Sequence, residues 1–330
     1  MYLIIICLFF LYSCTVNEEI SICFTGDVLL DRGMRTKIVT LAEKSQFEGV
    51  DLLFHSSDYT VINLECPVTK QSTPINKKYI FRGEPEWLKY FKNAGITHTI
   101  LANNHINDQD RRGVTSTIEN LNKYNIIPIG AGLNQTEACS PVFIKLHNST
   151  IAIFAAVRVI LENWMYLEEL PGPCQASTDD LCEEIKKLKK NHPGIIIITS
   201  LHWGIEYRQI PHLDQRMAAH ELINAGADII IGHHPHVVQT IEIFKGKAIF
   251  YSLGNFIFDS TPPISKKSII VRLRIRENHT EEIQIYPVKI KHYIPYIMDK
   301  QESKTFLKDI RLISPAVSIT MKNNYWELKN

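Results

Sequence analysis

The chain has 330 residues, 45% hydrophobic and 22% charged, enough for a full core in one large or two smaller α/β domains; wholesale disorder is excluded. Lys+Arg number 36 and Asp+Glu 35, a net charge of +1, which excludes a nucleic-acid binder led by phosphate neutralisation. The chain shows no repeat of 20–50 residues and no low-complexity tract.

Met1–Ser13 reads MYLIIICLFFLYS, apolar and uncharged, and Cys14 follows. A membrane-spanning helix needs roughly 20 apolar residues, so this run matches a secretory h-region better. Leu11-Tyr12-Ser13-Cys14 resembles a bacterial lipobox, which implies lipidation at Cys14 and export to the cell envelope; a plain signal and an uncleaved anchor are the other readings. The expected organisation is a leader over 1–14 and a single domain over 15–330. No later stretch of 18 or more apolar residues occurs. The seven cysteines form no CxxC or Cys/His zinc spacing. Cys174 and Cys182 are a candidate disulfide; scattered buried thiols are the alternative.

Strands then alternate with helices. Ser21–Thr25 is a short apolar run ending in Gly26-Asp27, and Tyr59–Leu64 is strand-like and ends at Glu65. Glu86–Ala94 places Trp87, Leu88, Phe91 and Ala94 at helical spacing, with Gly95 to end it. Thr97–Leu101 is a strand followed at once by Ala102-Asn103-Asn104-His105. Asp180–Lys190 is an amphipathic helix, and its lysine cluster reads as a solvated face. Gly194–Ser200 is a buried strand running into Leu201-His202-Trp203-Gly204. Arg216–Ala225 is helical and stops at Gly226; Asp228–Ile231 is a strand followed by Gly232-His233-His234-Pro235-His236; Ala248–Ser252 leads to Leu253-Gly254-Asn255-Phe256. Alternating stretches at 269–276 and 282–290 predict a hairpin that completes a sheet. This order implies βαβ units and an α/β sandwich.

The polar residues fall in a pattern. Asp27, Glu65, Asn104, His105, His202, His234 and His236 all sit just past a predicted strand end, the edge where open α/β sheets build ligand sites. A lone Asp or His there is ordinarily a cap or loop residue, but five successive strand ends behave alike. Carboxylate, amide oxygen and imidazole nitrogen together suit Mn, Fe or Zn. His234-Pro235-His236 holds two imidazoles close, which is costly to bury without a metal or an acidic partner.

Seven segments in order carry a family resemblance: Phe24-Thr-Gly-Asp-Val, Asn63-Leu-Glu, Phe81-Arg-Gly, Ala102-Asn-Asn-His with Asp108, His202-Trp-Gly-Ile-Glu-Tyr, Gly232-His-His-Pro-His-Val and Tyr251-Ser-Leu-Gly-Asn-Phe. They cover about residues 22–259 and resemble the bacterial CapA/PgsA capsule (poly-γ-glutamate) synthesis family, within the calcineurin-like metallophosphoesterase superfamily. The resemblance implies a four-layer α-β-β-α sandwich with one or two divalent ions on the loops after the central strands. In that superfamily two metals activate a water or hydroxide and stabilise the charge on the attacked group. By the same resemblance Asp27, Glu65, Asn104, His202, His234 and His236 would be metal ligands, Glu65 standing where the superfamily has a bridging Asp. His105 would be the general acid or oxyanion stabiliser, and His233 a neighbour. The superfamily's Asp-x-His is Asp27-Val28-Leu29 here, so one imidazole is absent; Asp31 is either its substitute or a helix-start residue.

Accessory residues are Arg82, a clamp for an anionic substrate or a surface salt bridge; Glu206 and Tyr207, near His202; Asn255, a donor near the site or a turn residue; and Asn103, which would orient His105. The remaining histidines match no motif and read as structural or exposed. The expected function is a metal-dependent hydrolase or transferase acting on an extracytoplasmic anionic polymer or its precursor. The alternatives are a non-catalytic assembly factor bound to polymer and membrane synthase subunits, and a metallophosphodiesterase unrelated to capsule. A nucleic-acid partner is not expected.

Overall fold

The computed structural model describes residues 19–41, 46–146, 148–259 and 262–329. The leader and Cys14 lie outside the described residues. Runs such as Ile196–His202 are buried along their whole length because parallel strands are covered on both faces. The helices are amphipathic and capped. Thr178–Asn191 starts with a Ser177/Asp180 capping box and ends in Lys189 and Lys190, which complement its dipole. Leu213–Ala225 stops at Gly226, whose φ of +121° suits glycine.

Two large sheets form. The first is ten-stranded, with Glu19–Val28 near its middle, flanked by Lys267–Arg276 on one side and by Tyr59–Leu64, His98–Ile100 and Ile127–Ile129 on the other. The second has six strands, in the order Ile241–Phe244, Lys247–Phe250, Ile229–His233, Ile196–His202, Ser149–Val157, Val142–Leu146. Phe24, Val271 and Ile285 of one sheet share a core with Ile153, Ile198 and Phe250 of the other. Phe54, Leu88, Phe91 and Leu121 cover the outer face of the first sheet, and Leu181, Ile185 and Leu222 cover the second. The result is helix, sheet, sheet, helix: the four-layer sandwich expected from sequence. Each fully buried Phe or Ile contributes about 1.5–3 kcal/mol to it.

The predicted hairpin is present. Lys267–Arg276 pairs antiparallel with Glu19–Val28 and with His279–Lys291, around a turn in which Glu277 and Asn278 both have positive φ. The predicted helix 86–94 is shorter. Pro85–Trp87 forms a 3₁₀ turn before Leu88–Asn93, because Pro85 fits a first turn and has no N–H to donate. Helices Asp110–Lys123 and Lys300–Ile313 were not anticipated. The cysteine pairing is corrected: Cys139 bonds Cys174, with Cα atoms 4.8 Å apart, and Cys182 is a free buried thiol. Cys182 sits on the Thr178–Asn191 helix and packs into the core under the second sheet, whereas Cys139 ends the short helix Gln135–Cys139. Among the described residues no helix is long and apolar enough to cross a membrane.

Candidate metal centre

The carboxyl ends of strands from both sheets meet at one place. Asp27 stands in register with Asn63 on one neighbour and with Asn255 on the other. His202 stands in register with His233. The approach of these strands is close. A Cβ on Gly26 would lie 1.9 Å from the Gly254 carbonyl oxygen, and one on Gly232 would lie 1.9 Å from that of Tyr251. Glycine at 26 lets the Asp27 main-chain N–H donate to the Gly254 carbonyl at 2.9 Å, and beside Gly232 the Leu253 N–H donates to the Gly232 carbonyl at 3.1 Å. After the His233 strand, His234 and His236 adopt φ of 96° and 57°, strained backbone that is held only where its surroundings enforce it.

Two groups of ligating atoms result, each within 4.8 Å: Glu65, His202 and His234, and Asp27, Glu65 and His236. Glu65 belongs to both. Asn104 Oδ1 lies 2.8 Å from His202 Nε2, so the amide converges on the first group. His233 belongs to neither group; its Nδ1 lies 3.1 Å from Asp27 Oδ1. Asn63, which sequence reasoning gave no role, donates to the same oxygen at 2.9 Å and lies 3.4 Å from His202 Nδ1. Its sequence signals were its place at a strand end, two residues before Glu65, and the Asn63-Leu-Glu segment it opens. Asn255 Oδ1 meets His236 Nδ1 at 2.9 Å, and its amide donates to Ser265 at 3.3 Å.

The donor set fits a divalent transition ion. Glu65 is 0% exposed, and neither carboxylate oxygen has a hydrogen-bond partner; its nearest imidazole nitrogens lie at 3.6 and 3.8 Å. His234 Nδ1 is likewise buried without a partner. A buried carboxylate left this way is costly unless a cation meets it. Two carboxylates, three imidazoles and an amide are the ligand types of Mn, Fe or Zn rather than of Ca.

The electrostatics are polarised. Burial would raise the Asp27 carboxyl, but hydrogen bonds from His233 and His236 outweigh it and hold Asp27 well below the usual range. Burial pushes Glu65 well above that range, against the opposing pull of His236. Burial would lower His236 too, but Glu65 and Asp27 raise it to about 9. Burial and the neighbouring His236 charge take His234 down to about 3, and burial also depresses His202. At neutral pH this describes Asp27 ionised, His236 charged and the His202 and His234 imidazoles neutral.

His105 stands beside this cluster. Its Nδ1 lies 2.8 Å from Asp108 Oδ2, its ring centroid lies 4.3 Å from that of Phe81, and burial lowers its pKa. Asn103 orients the segment: its Oδ1 accepts the main-chain N–H groups of His105 and Ile106 at 3.1 and 3.0 Å. Lys77, also unassigned from sequence, is buried against Asp108 at 2.7 Å. Glu206 and Tyr207 are exposed at the rim; the Tyr207 ring centroid lies 6.2 Å from that of His236.

Two expectations are corrected. Arg82 is not brought to the centre; its guanidinium pairs with Glu84 at 3.0 Å, the salt-bridge reading. Asp31 does not replace the absent imidazole. Its carboxylate accepts from Arg35 Nε and from the Arg82 main chain at 2.9 and 2.7 Å, and Leu29 is fully buried in the apolar layer. The unassigned histidines include His98, which burial takes down to about 4, and His220, stacked 3.8 Å from Phe244 and bonded to Glu242.

The chain resembles known proteins over most of its length. It is 31% identical to the PGA biosynthesis protein CapA of Bacillus subtilis over 299 residues, 89% of this chain and 78% of that one. It is 30% identical to the capsule biosynthesis protein CapA of Bacillus anthracis over 320 residues, 95% and 77% of the two chains. A hypothetical protein from Thermus thermophilus shares the fold with a TM-score of 0.52 at 12% identity, over 82% of this chain and 99% of that one. The family model for the bacterial capsule synthesis protein PGA_cap matches residues 21–260, which contain every candidate ligand described above. The chain belongs to the PGA_cap bacterial capsule synthesis family.

Proposed function

We propose that the chain is a metal-dependent hydrolase, or a related transferase, acting outside the cytoplasm on an anionic envelope polymer such as poly-γ-glutamate, its precursor or its linkage. The observation that carries this reading is Glu65, a fully buried carboxylate without a hydrogen-bond partner, shared by two groups of ligating atoms. Asp27, Glu65, Asn104, His202, His234 and His236 would hold one or two ions of Mn, Fe or Zn. A bound ion of this kind supplies a Lewis acid and a water acidic enough to attack at neutral pH. The chain's own residues do the rest. Asn63 and His233 fix Asp27, and Asn255 sets the tautomer of His236. His105, with Nδ1 donating to Asp108, could donate a proton or hydrogen bond from Nε2 to the oxygen on which charge develops only as imidazolium, the form that the Asp108 carboxylate stabilises against burial.

The Cys139–Cys174 bond supports an oxidising compartment, and with the apolar leader it favours export and a lipid anchor at Cys14. Cys14→Ser should then release the protein from membranes; continued anchoring would remove the lipoprotein reading. A second reading, an assembly factor that binds polymer and membrane synthase subunits without turnover, is favoured by Leu29, which puts a buried apolar residue where an imidazole is expected. Elemental mass spectrometry of the purified chain separates the two. One or two equivalents of Mn, Fe or Zn, retained in His105→Ala while that variant loses turnover, supports the enzyme. No metal after reconstitution with each ion supports the assembly factor.

A further inference from the structure

Residues 69–83 leave the fold and return to it as a strap over the His105 end of the centre. Its two ends are tied together: Val68 pairs with Gly83, and the Thr69 N–H donates to the Gly83 carbonyl at 3.1 Å. Between them the tip, Lys78-Tyr79-Ile80, is exposed. Two side chains turn inward, Phe81 onto the His105 ring and Lys77, whose side chain is 2% exposed.

The ties from the strap's inner side converge on one short segment. The Thr73 hydroxyl donates to the Gln109 carbonyl at 2.8 Å, and the Ile75 N–H to the Asp108 carbonyl at 3.1 Å. Asp108 is fully buried and both of its carboxylate oxygens accept hydrogen bonds. Oδ2 accepts from the Phe81 N–H at 2.7 Å and from His105 Nδ1 at 2.8 Å, and Oδ1 accepts from Lys77 Nζ at 2.7 Å. The same ammonium donates to the main-chain oxygen of Asn104. Lys77 thus touches both sides of the Asn104–Asp108 turn, one through its backbone and one through a side chain.

A buried lysine is an expensive way to fasten a loop, since its long side chain loses rotamer freedom and its ammonium loses hydration. The strap already has the Thr73, Ile75 and Phe81 ties. What Lys77 adds is a fixed relation between two groups that face the centre. The Asn104 amide points at His202 Nε2, 2.8 Å away, and the His105 imidazole rests on Asp108. We propose that Lys77 is a positioning residue of the centre: held by Asp108, it pins the Asn104 main chain and thereby aims the Asn104 amide and the His105 imidazole together. This rests on the metal-centre reading above. Partners in the shell around metal ligands typically change affinity 10–100-fold when removed.

The test is calorimetric titration of the full-length chain with Mn²⁺ alone and with Zn²⁺ alone. Lys77→Met keeps the length of the side chain but leaves Asp108 buried and unpaired, so it can fail by unfolding. Lys77→Met combined with Asp108→Asn removes both charges and keeps an acceptor for Phe81 and His105. The expected result is a loss of affinity of about tenfold or more in both variants, with the melting temperature of the paired variant close to wild type. Wild-type affinity in the folded paired variant would overturn the proposal, because Lys77 would then only neutralise Asp108. A wild-type chain that takes up neither ion overturns the centre itself and the proposal with it, and that failure shows in the unmutated protein.

Discussion

Loading the centre with metal should expel protons, and the number can be counted. In the metal-free protein burial pushes Glu65 well above the ordinary carboxylate range, and the Glu65 and Asp27 carboxylates hold the His236 proton up to about 9, so the Glu65–His236 pair carries at least one proton at pH 7. An ion that takes Glu65 as carboxylate and His236 as neutral imidazole displaces the His236 proton and any that Glu65 holds. At pH 7 removal of the His236 proton alone costs about 3 kcal/mol, from about 1.4 kcal/mol for each pH unit below its pKa. Because both shifts are upward, affinity should rise with pH towards 9 and fall away below neutrality, about tenfold per pH unit for each proton displaced. Titrating Mn²⁺ or Zn²⁺ at pH 6 to 8, in buffers of different ionisation enthalpy, measures the protons released per ion. Between one and two is expected. Affinity that stays flat over this range, with no proton release, would refute the assignment of both groups.

Glu65→Gln should separate stability from binding. It replaces a buried carboxyl whose oxygens meet no hydrogen-bond donor, so the metal-free stability should change by no more than about 1 kcal/mol while ion affinity falls at least 100-fold. A loss above about 3 kcal/mol in chemical denaturation would instead make Glu65 a structural anion. Gly26→Ala drives a Cβ to within 1.9 Å of a backbone oxygen, so the strands must part. Overpacking and the lost Asp27–Gly254 bond together should cost about 3 kcal/mol, and a cost under about 1 kcal/mol in urea titration would show that the approach is slack. Removing the Cys139–Cys174 bond by paired serine substitutions frees a 35-residue loop and should cost about 4 kcal/mol by loop entropy. An unchanged urea midpoint, with thiol titration showing both cysteines free in the wild type, would remove the disulfide.

The sequence was most legible where one local pattern had one structural meaning. Tyr59–Leu64 is the same strand in both readings, because an apolar β-rich run between Asp58 and Glu65 leaves no other assignment. The strand-end positions of Asp27, Glu65, His202 and His234 were visible for the same reason: parallel strands bring their carboxyl ends to one edge. Residues whose role depends on a distant partner were not legible. Lys77 lies in a polar loop with no periodicity and acquires meaning only from Asp108, 31 positions later. Arg82 could clamp an anion or pair with a carboxylate; Glu84, two residues on, was in view, but the choice between it and a site partner was not local. The cysteine pairing failed for the same reason, since sequence nearness favoured Cys182 while the packing of a short helix chose Cys139. His98 matched no motif, and its burial follows from a strand with both faces covered.

The pairing of Glu19–Val28 with Lys267–Arg276 ties the order of synthesis to the order of assembly. Asp27 emerges early, yet its strand stays one-sided until Asn255 and the hairpin beyond it have been made, with Glu19 finally opposite Arg276. Contacts so far apart in the chain form late and slowly. The growing polypeptide therefore has no finished pocket to capture an ion, because His234, His236 and Asn255 all follow the first 230 residues. On the metal-centre reading, the ion would be chosen in whatever compartment the last strand closes.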